Sequence, residues 1–155
     1  QKRALEEAHD ELAQLDRARD QTRRPATLFG MNPLVQEWLQ KADEDRRSAQ
    51  ILLRDPEPLV TPAAFHLQQT AEKLLKALLV KKEITFERRH DLTYLLNRSA
   101  EPTIREHLQV LNELSPFAVE LRYPGDYPVI SVPDALGIEK RLAAFRDAIL
   151  PLITE

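Results

Sequence analysis

The chain contains no cysteine among its 155 residues, and it has only three glycines and one tryptophan. Without cysteine it forms neither a disulfide nor a metal site with thiolate ligands. The absence of cysteine also fits a reducing compartment, so we expect a cytoplasmic protein. The sequence has no run of about 18 apolar residues and no signal peptide at its start, so we expect no association with a membrane.

A strong excess of charge of either sign is also missing. Lysine and arginine together number 22 and aspartate and glutamate 25, which gives a formal net charge of -3. A global field that would attract nucleic acid is therefore excluded, and any contact with phosphate must come from a local cluster. Hydrophobic residues make up 43% and charged residues 30% of the chain, which is typical of an ordinary globular domain.

Proline is abundant, with eleven residues that mostly lie between periodic segments. The pairs Asn32-Pro33, Thr61-Pro62 and Ser115-Pro116 each place a capping side chain before a proline. A proline in the first turn of a helix loses no hydrogen bond, so these pairs are typical of helix starts. Alternating runs of β-branched residues bounded by tight turns are rare, so the sequence predicts an all-α fold.

The apolar periodicity predicts where the helices lie. Their ranges are 33–54, 62–82, a short helix after His90, 102–114 with a restart at Pro116, and 134–149. Leu108 and Leu136 are among the positions that we expect to point inward. Mostly short connections favour an antiparallel up-and-down bundle of four to five main helices.

Residues 1–30 differ in composition from the rest of the chain. Leu5, Ala8, Leu12 and Leu15 form a short apolar stripe within a very charged segment, and residues 26–30 have the composition of a linker. Two heptads are too few to predict a coiled coil. We interpret 1–30 as a helical arm with its linker and 31–155 as the helical-bundle domain. The sequence leaves open whether the arm is an appended segment or a native extension of the domain.

Four short segments carry a family resemblance. They are Lys41-Ala42-Asp43-Glu44-Asp45 followed by Ala49, Phe65-His66-Leu67-Gln68-Gln69-Thr70-Ala71-Glu72-Lys73-Leu74-Leu75-Lys76-Ala77, His90-Asp91-Leu92 and Leu121-Arg122-Tyr123-Pro124. In this order they resemble the HEPN family, the higher eukaryotes and prokaryotes nucleotide-binding domain, over residues 33–149. The resemblance implies a dimer-forming helical bundle that binds a nucleotide or RNA. Many members are encoded beside a minimal nucleotidyltransferase as a toxin–antitoxin pair, so such a partner is implied as well.

Nucleolytic members of the family carry an arginine followed after four to six residues by a histidine. Arg122 resembles that arginine, but the spacing falls on Tyr127, Pro128 or Val129. None of these side chains shuttles protons near neutral pH as an imidazole does. We therefore expect a non-nucleolytic protein with no catalytic residue and no cofactor. The alternatives are a divergent ribonuclease that uses Arg122 with His90, or a purely structural dimerisation module.

Asp45 is the most informative single residue of the sequence. It falls in the middle of the apolar stripe of the first helix, where a carboxylate must be paired or reach water. Our interpretation is that Asp45 pairs with Arg122 across a cleft and helps to build a polar site. The alternatives are that it turns out to solvent or pairs with Lys41 one turn away.

The segment that follows the fourth helix supplies three further candidates for ligand binding. Arg122 offers a guanidinium for a forked contact with phosphate, although a structural ion pair explains it equally well. Tyr123 and Tyr127 are candidates to stack on a base, although tyrosines near a proline-rich loop commonly just pack there.

Two more candidates lie on and beside the second helix. His90 precedes Asp91, which is expected to cap the third helix, and His90 is either a hydrogen-bond donor to a ligand or a structural residue. Lys73 shares the polar side of the second helix with Glu72 and Lys76. That side is either a groove or dimer surface, or a solvated face on which Glu72 and Lys76 form an exposed pair. Metal binding is not expected, because no two histidines lie four residues apart.

Overall fold

The computed structural model of the chain describes Asp10, Glu11, Gln14 and residues 31–118, 124, 125 and 128–155. These residues form five α-helices and two short 3-10 helices, and no strand occurs among them. The α-helices are α1 (Pro33–Arg54), α2 (Val60–Lys81), α3 (Leu92–Ser99), α4 (Leu108–Leu114) and α5 (Val132–Thr154). The 3-10 helices are Pro102–His107 and Ser115–Phe117. The predicted all-α helical bundle is confirmed.

The predicted start of α1 is confirmed in detail. The side chain of Asn32 accepts a hydrogen bond of 2.8 Å from the backbone N–H of Leu34, and Pro33 occupies the first turn. This cap satisfies one of the backbone donors that have no partner within the helix. Asp91 caps α3 in the same way, by accepting from the backbone N–H of Tyr94 at 3.2 Å.

The central element of the bundle is α2, which packs against α1, α3, α4 and α5. Most of its residues are buried, including Leu67, Leu74, Leu75 and Leu78, which are at most 1% exposed. A helix surrounded in this way has little solvated surface, so each polar side chain that it carries needs a protein partner.

Ion pairs between side chains fix α5 against α1. Arg54 donates to both carboxylate oxygens of Glu139, at 2.9 and 2.6 Å, which is the forked geometry that suits a guanidinium. Arg146 donates to Asp43 at 3.1 Å. Both pairs join α1 to α5 at the surface of the bundle.

Some local predictions were wrong. Thr61 does not cap α2, because the helix begins one residue earlier, at Val60, after Leu59, which makes no side-chain cap. The range 102–114 is not one α-helix, because residues Pro102–His107 form a 3-10 helix. Leu108 and Leu136 were expected inside but are exposed. They lie at the edge of their apolar faces, where packing rather than periodicity decides exposure.

Within the part of the chain that the structure describes, no helix combines the length and the apolarity that crossing a membrane requires. Of residues 1–30, the structure describes Asp10, Glu11 and Gln14, and all three are helical. The division of the chain at residue 30 therefore stays a prediction.

Candidate functional site

Asp45 lies where α1 faces α2, and it is buried, with 8% of its surface exposed. One carboxylate oxygen lies 2.8 Å from Nδ1 of His66, and the other accepts a hydrogen bond from Nζ of Lys73. The alternatives that Asp45 turns to solvent or pairs with Lys41 were therefore wrong. We call Asp45, His66 and Lys73 the Asp45 cluster.

The spacing of residues along α2 explains this arrangement. His66 and Lys73 are seven residues apart, which places them on one face of the helix about two turns from each other. Asp45 approaches between them from α1, so each of its oxygens meets a different side chain. A buried carboxylate without a partner would be costly, so this pairing lets α1 and α2 pack closely here.

The carboxylate of Asp45 determines how His66 carries its proton. An ionised carboxylate only accepts hydrogen bonds, so Nδ1 of His66 carries the hydrogen between them. In the neutral ring Nε2 is then an acceptor, and in the charged ring it is a second donor. The side chains of His66 and Lys73 are 31% and 21% exposed, so solvent reaches both.

A second group of charges lies beside this cluster, on the neighbouring side of α2. Glu72 accepts a hydrogen bond of 2.7 Å from Nδ1 of His90, and Nζ of Lys76 lies 3.9 Å from its other oxygen. We call Glu72, Lys76 and His90 the Glu72 cluster. The side chains of Glu72 and Lys76 are each only 4% exposed, so the interpretation of an exposed pair was wrong.

The buried amide of Gln68 holds the backbone of His90. It donates from Nε2 to the carbonyl oxygen of His90 at 3.3 Å, and its own oxygen accepts from Gln69 at 2.7 Å. Glu72 accepts a hydrogen bond from the imidazole of His90, and Gln68 donates one to its backbone carbonyl. Therefore α2 fixes His90 through two contacts. About half of the His90 side chain remains exposed.

The contact with Glu72 raises the pKa of His90 above its ordinary value of 6.5. The hydrogen bond to Glu72 is the largest cause, and the charges of Glu72 and Glu11 add to it. Burial and the charge of Lys76 act in the opposite direction. The folded protein therefore favours the charged imidazolium more than the unfolded chain does.

This raised pKa predicts how stability depends on pH. Since the folded pKa of His90 exceeds the unfolded value, its stabilisation is fully present below about pH 6.5 and is lost as pH rises through the folded pKa. We expect the stability difference between the wild type and His90→Asn to be larger at pH 6 than at pH 9. Thermal unfolding of both proteins at several pH values measures it. A difference that stays constant or grows with pH would contradict the proposed pairing.

The cations at the corner before α3 each have an acidic neighbour. Arg89 lies 3.5 Å from Asp91 and over the ring of Tyr94, at 4.4 Å from its centroid. Arg88 lies 3.8 Å from a carboxylate oxygen of Glu11, and Lys82 donates to Glu101 at 2.7 Å. This corner therefore has cations with acidic neighbours rather than a free positive surface.

The candidates of the segment after α4 fall outside the residues that the structure describes. They are Arg122, Tyr123 and Tyr127. Their roles, and the pairing of Arg122 with Asp45, therefore stay predictions. Pro128 and Val129 are described, and both are exposed.

The sequence interpretation did not select His66 as a site residue. A signal was available, because His66 and Lys73 lie on the same side of α2 and Asp45 interrupts the apolar face of α1. A buried carboxylate on one helix predicts a donor on the helix that packs against it. The structure therefore brings together three features that the sequence indicated, which are Asp45, Lys73 and a polar face on α2.

Comparison with known proteins adds two findings. The family model of the HEPN domain matches residues 35–146 of the chain. The crystal structure of an archaeal HEPN homologue is similar to this chain with a TM-score of 0.60 at 22% sequence identity, and the match covers 77% of this chain and 97% of that one. At this identity the structural likeness shows the fold alone. No curated protein matches the chain.

Proposed function

Because the chain belongs to the HEPN domain family, we propose that it is a binding module that holds a phosphate-bearing ligand, a nucleotide or a short RNA, at the Asp45 cluster. The observation that carries this proposal is that two partly exposed nitrogen-bearing side chains, His66 and Lys73, are fixed by one buried carboxylate. Groups held in place before binding lose less conformational entropy when a ligand arrives.

The chemistry of the cluster suits phosphate. The ammonium of Lys73 has three donors, of which Asp45 uses one, so further donors remain for phosphate oxygens. A protonated His66 adds a donor from Nε2. Among the other candidates, we propose that Arg122 adds a forked contact with phosphate and that Tyr123 and Tyr127 stack on a base. His90 would add a contact from the exposed part of its ring.

We expect such binding to depend on salt. With two phosphates contacted, the logarithm of the affinity for single-stranded RNA should fall against the logarithm of salt concentration with a slope of about -1.4, which is about -0.7 for each contact. Titration of the protein with a labelled short RNA at several salt concentrations measures this slope, and ADP in place of RNA tests the nucleotide. No saturable binding of either probe would contradict the proposal.

A second candidate function is a divergent ribonuclease, and one specific observation favours it. Asp45 holds His66 in the tautomer that leaves Nε2 as a base, which is the geometry of a base with its orienting carboxylate. The sequence interpretation had placed this role on His90 with Arg122. Incubation with labelled RNA separates the two functions, because cleavage that disappears in both His66→Ala and Asp45→Asn would establish the enzyme.

Two proposals on partners rest on the family resemblance alone. We propose that the domain forms a homodimer, which light scattering measures directly. We also propose that the domain is non-nucleolytic and that its protein partner is a minimal nucleotidyltransferase, with which it would form a toxin–antitoxin pair. Co-purification of the two proteins after joint expression tests that pairing.

A further inference from the structure

Lys76 is a buried cation whose closest carboxylate does not come from the bundle. Its side chain is 4% exposed, and its Nζ lies 3.1 Å from Oε1 of Glu11, against 3.9 Å from Oε2 of Glu72. Glu72 is also engaged by His90, at 2.7 Å. Glu11 belongs to the segment before the bundle, 65 residues away from Lys76 in sequence.

Two aromatic rings lie close to the ammonium of Lys76. Its Nζ lies 5.5 Å from the ring centroid of Trp38 and 5.9 Å from that of Phe86, which are distances of cation–π contact. Glu11, Trp38 and Phe86 also line a small, mostly apolar hollow, together with Gln14, Leu34 and Val80.

Arg88 adds a second cation on the same carboxylate. Its Nε lies 3.8 Å from Oε2 of Glu11, while Lys76 contacts Oε1. Each oxygen of one carboxylate therefore meets a different cation beside two aromatic rings. A phosphoryl group carries a charge of about -1.5 to -2 at pH 7 and three acceptor oxygens, so it offers these cations more charge and one more acceptor than the carboxylate does.

We propose that Lys76 and Arg88, beside Trp38 and Phe86, form a second anion site for a phosphoryl group, and that Glu11 occupies it as a competing internal ligand. The site differs from the Asp45 cluster, so it does not depend on the proposed function. Anion binding requires Glu11 to leave, and the apparent affinity is reduced by the fraction of molecules in which Glu11 is in place. Glu11 thereby regulates the site.

The test uses the full chain with pyrophosphate as the probe and the fluorescence of Trp38, the single tryptophan, as the readout. Glu11→Gln removes the charge of the competitor and keeps its shape. We expect it to bind pyrophosphate about fivefold tighter than the wild type, which corresponds to a wild-type site occupied by Glu11 in about four of five molecules. The matched control is Asp10→Asn, since Asp10 is exposed and its change removes the same charge. It should leave the affinity unchanged.

Further variants decide whether the binding belongs to this pocket. In the Glu11→Gln background, Lys76→Met and, separately, Arg88→Gln should each weaken binding of pyrophosphate, and the second variant serves if the first does not fold. Lys140→Ala in the same background should leave it unchanged, because it removes one positive charge from an exposed residue that lies outside the pocket. Equal affinity of Glu11→Gln and the wild type would overturn the proposal and leave Glu11 as a structural contact.

The class of ligand is tested with ADP and adenosine in the same assay. ADP should bind to Glu11→Gln at least as well as pyrophosphate does, because it carries the same diphosphate, and adenosine should not bind. Binding of adenosine as tight as that of ADP would show that the aromatic rings rather than the cations recognise the ligand, and it would overturn the assignment of a phosphoryl site.

Discussion

Replacement of Glu72 by Gln should lower the free energy of unfolding by about 3 kcal/mol, near the lower end of the range for breaking a buried ion pair. The carboxylate of Glu72 is 4% exposed and contacts both the buried ammonium of Lys76 and the imidazole of His90. Gln keeps the shape of the side chain but carries no charge, so it leaves the ammonium of Lys76 and the imidazole of His90 less compensated. Lys76 retains Glu11, which keeps the loss from being larger.

Urea denaturation at pH 7 measures this loss, with Glu44→Gln as the matched control. Glu44 is an exposed residue of α1, so its change should stay within about 0.5 kcal/mol of the wild type. The same substitution at Glu72 should also bring the pKa of His90 back toward 6.5, because it removes the largest cause of the raised value. If Glu72→Gln is as stable as Glu44→Gln, the Glu72 cluster is not a buried charge network.

The sequence allowed the helices to be predicted where local chemistry decides. The bounds of α1 agree with the prediction because Asn32 and Pro33 together define one helix start. The start of α2 was missed because Pro62 is compatible with any of the first positions of a helix, whose backbone N–H groups have no partner within the helix anyway. The pair Thr61-Pro62 therefore did not identify the first residue of α2.

The candidate site was predictable only in part. That Asp45 needs a partner follows from its position in the apolar stripe of α1. Which partner it finds depends on how α1 is rotated against α2, and this rotation is set by packing across the whole interface. The burial of Glu72 and Lys76 escaped prediction for the same reason, since α2 is covered on several sides and has no fully solvated face.

Substitution of Lys73 by Ala should weaken the binding of short single-stranded RNA by about tenfold or more, since a hydrogen bond to a charged group contributes about 1.5–3 kcal/mol. In the proposed site Lys73 supplies the ammonium that meets the phosphate, and Asp45 fixes its position. Asp45 keeps His66 as a partner when Lys73 is absent, so the fold should survive the change. Thermal unfolding of the variant checks that it does.

The matched control for this substitution is Lys140→Ala. Lys140 is an exposed residue of α5, so its loss removes the same charge from the protein at another place. Any effect that arises from net charge alone is then equal in the two variants. A Lys73→Arg variant should keep most of the affinity, because it preserves the cation and its donors.

The most direct test of the phosphate-binding site at the Asp45 cluster is the dissociation constant of a labelled short RNA for Lys73→Ala and Lys140→Ala, measured side by side at low salt. We predict a loss of about tenfold or more for Lys73→Ala and an unchanged affinity for Lys140→Ala. Equal affinities of the two variants, with the wild type binding the RNA, would contradict the account and place the ligand elsewhere on the molecule.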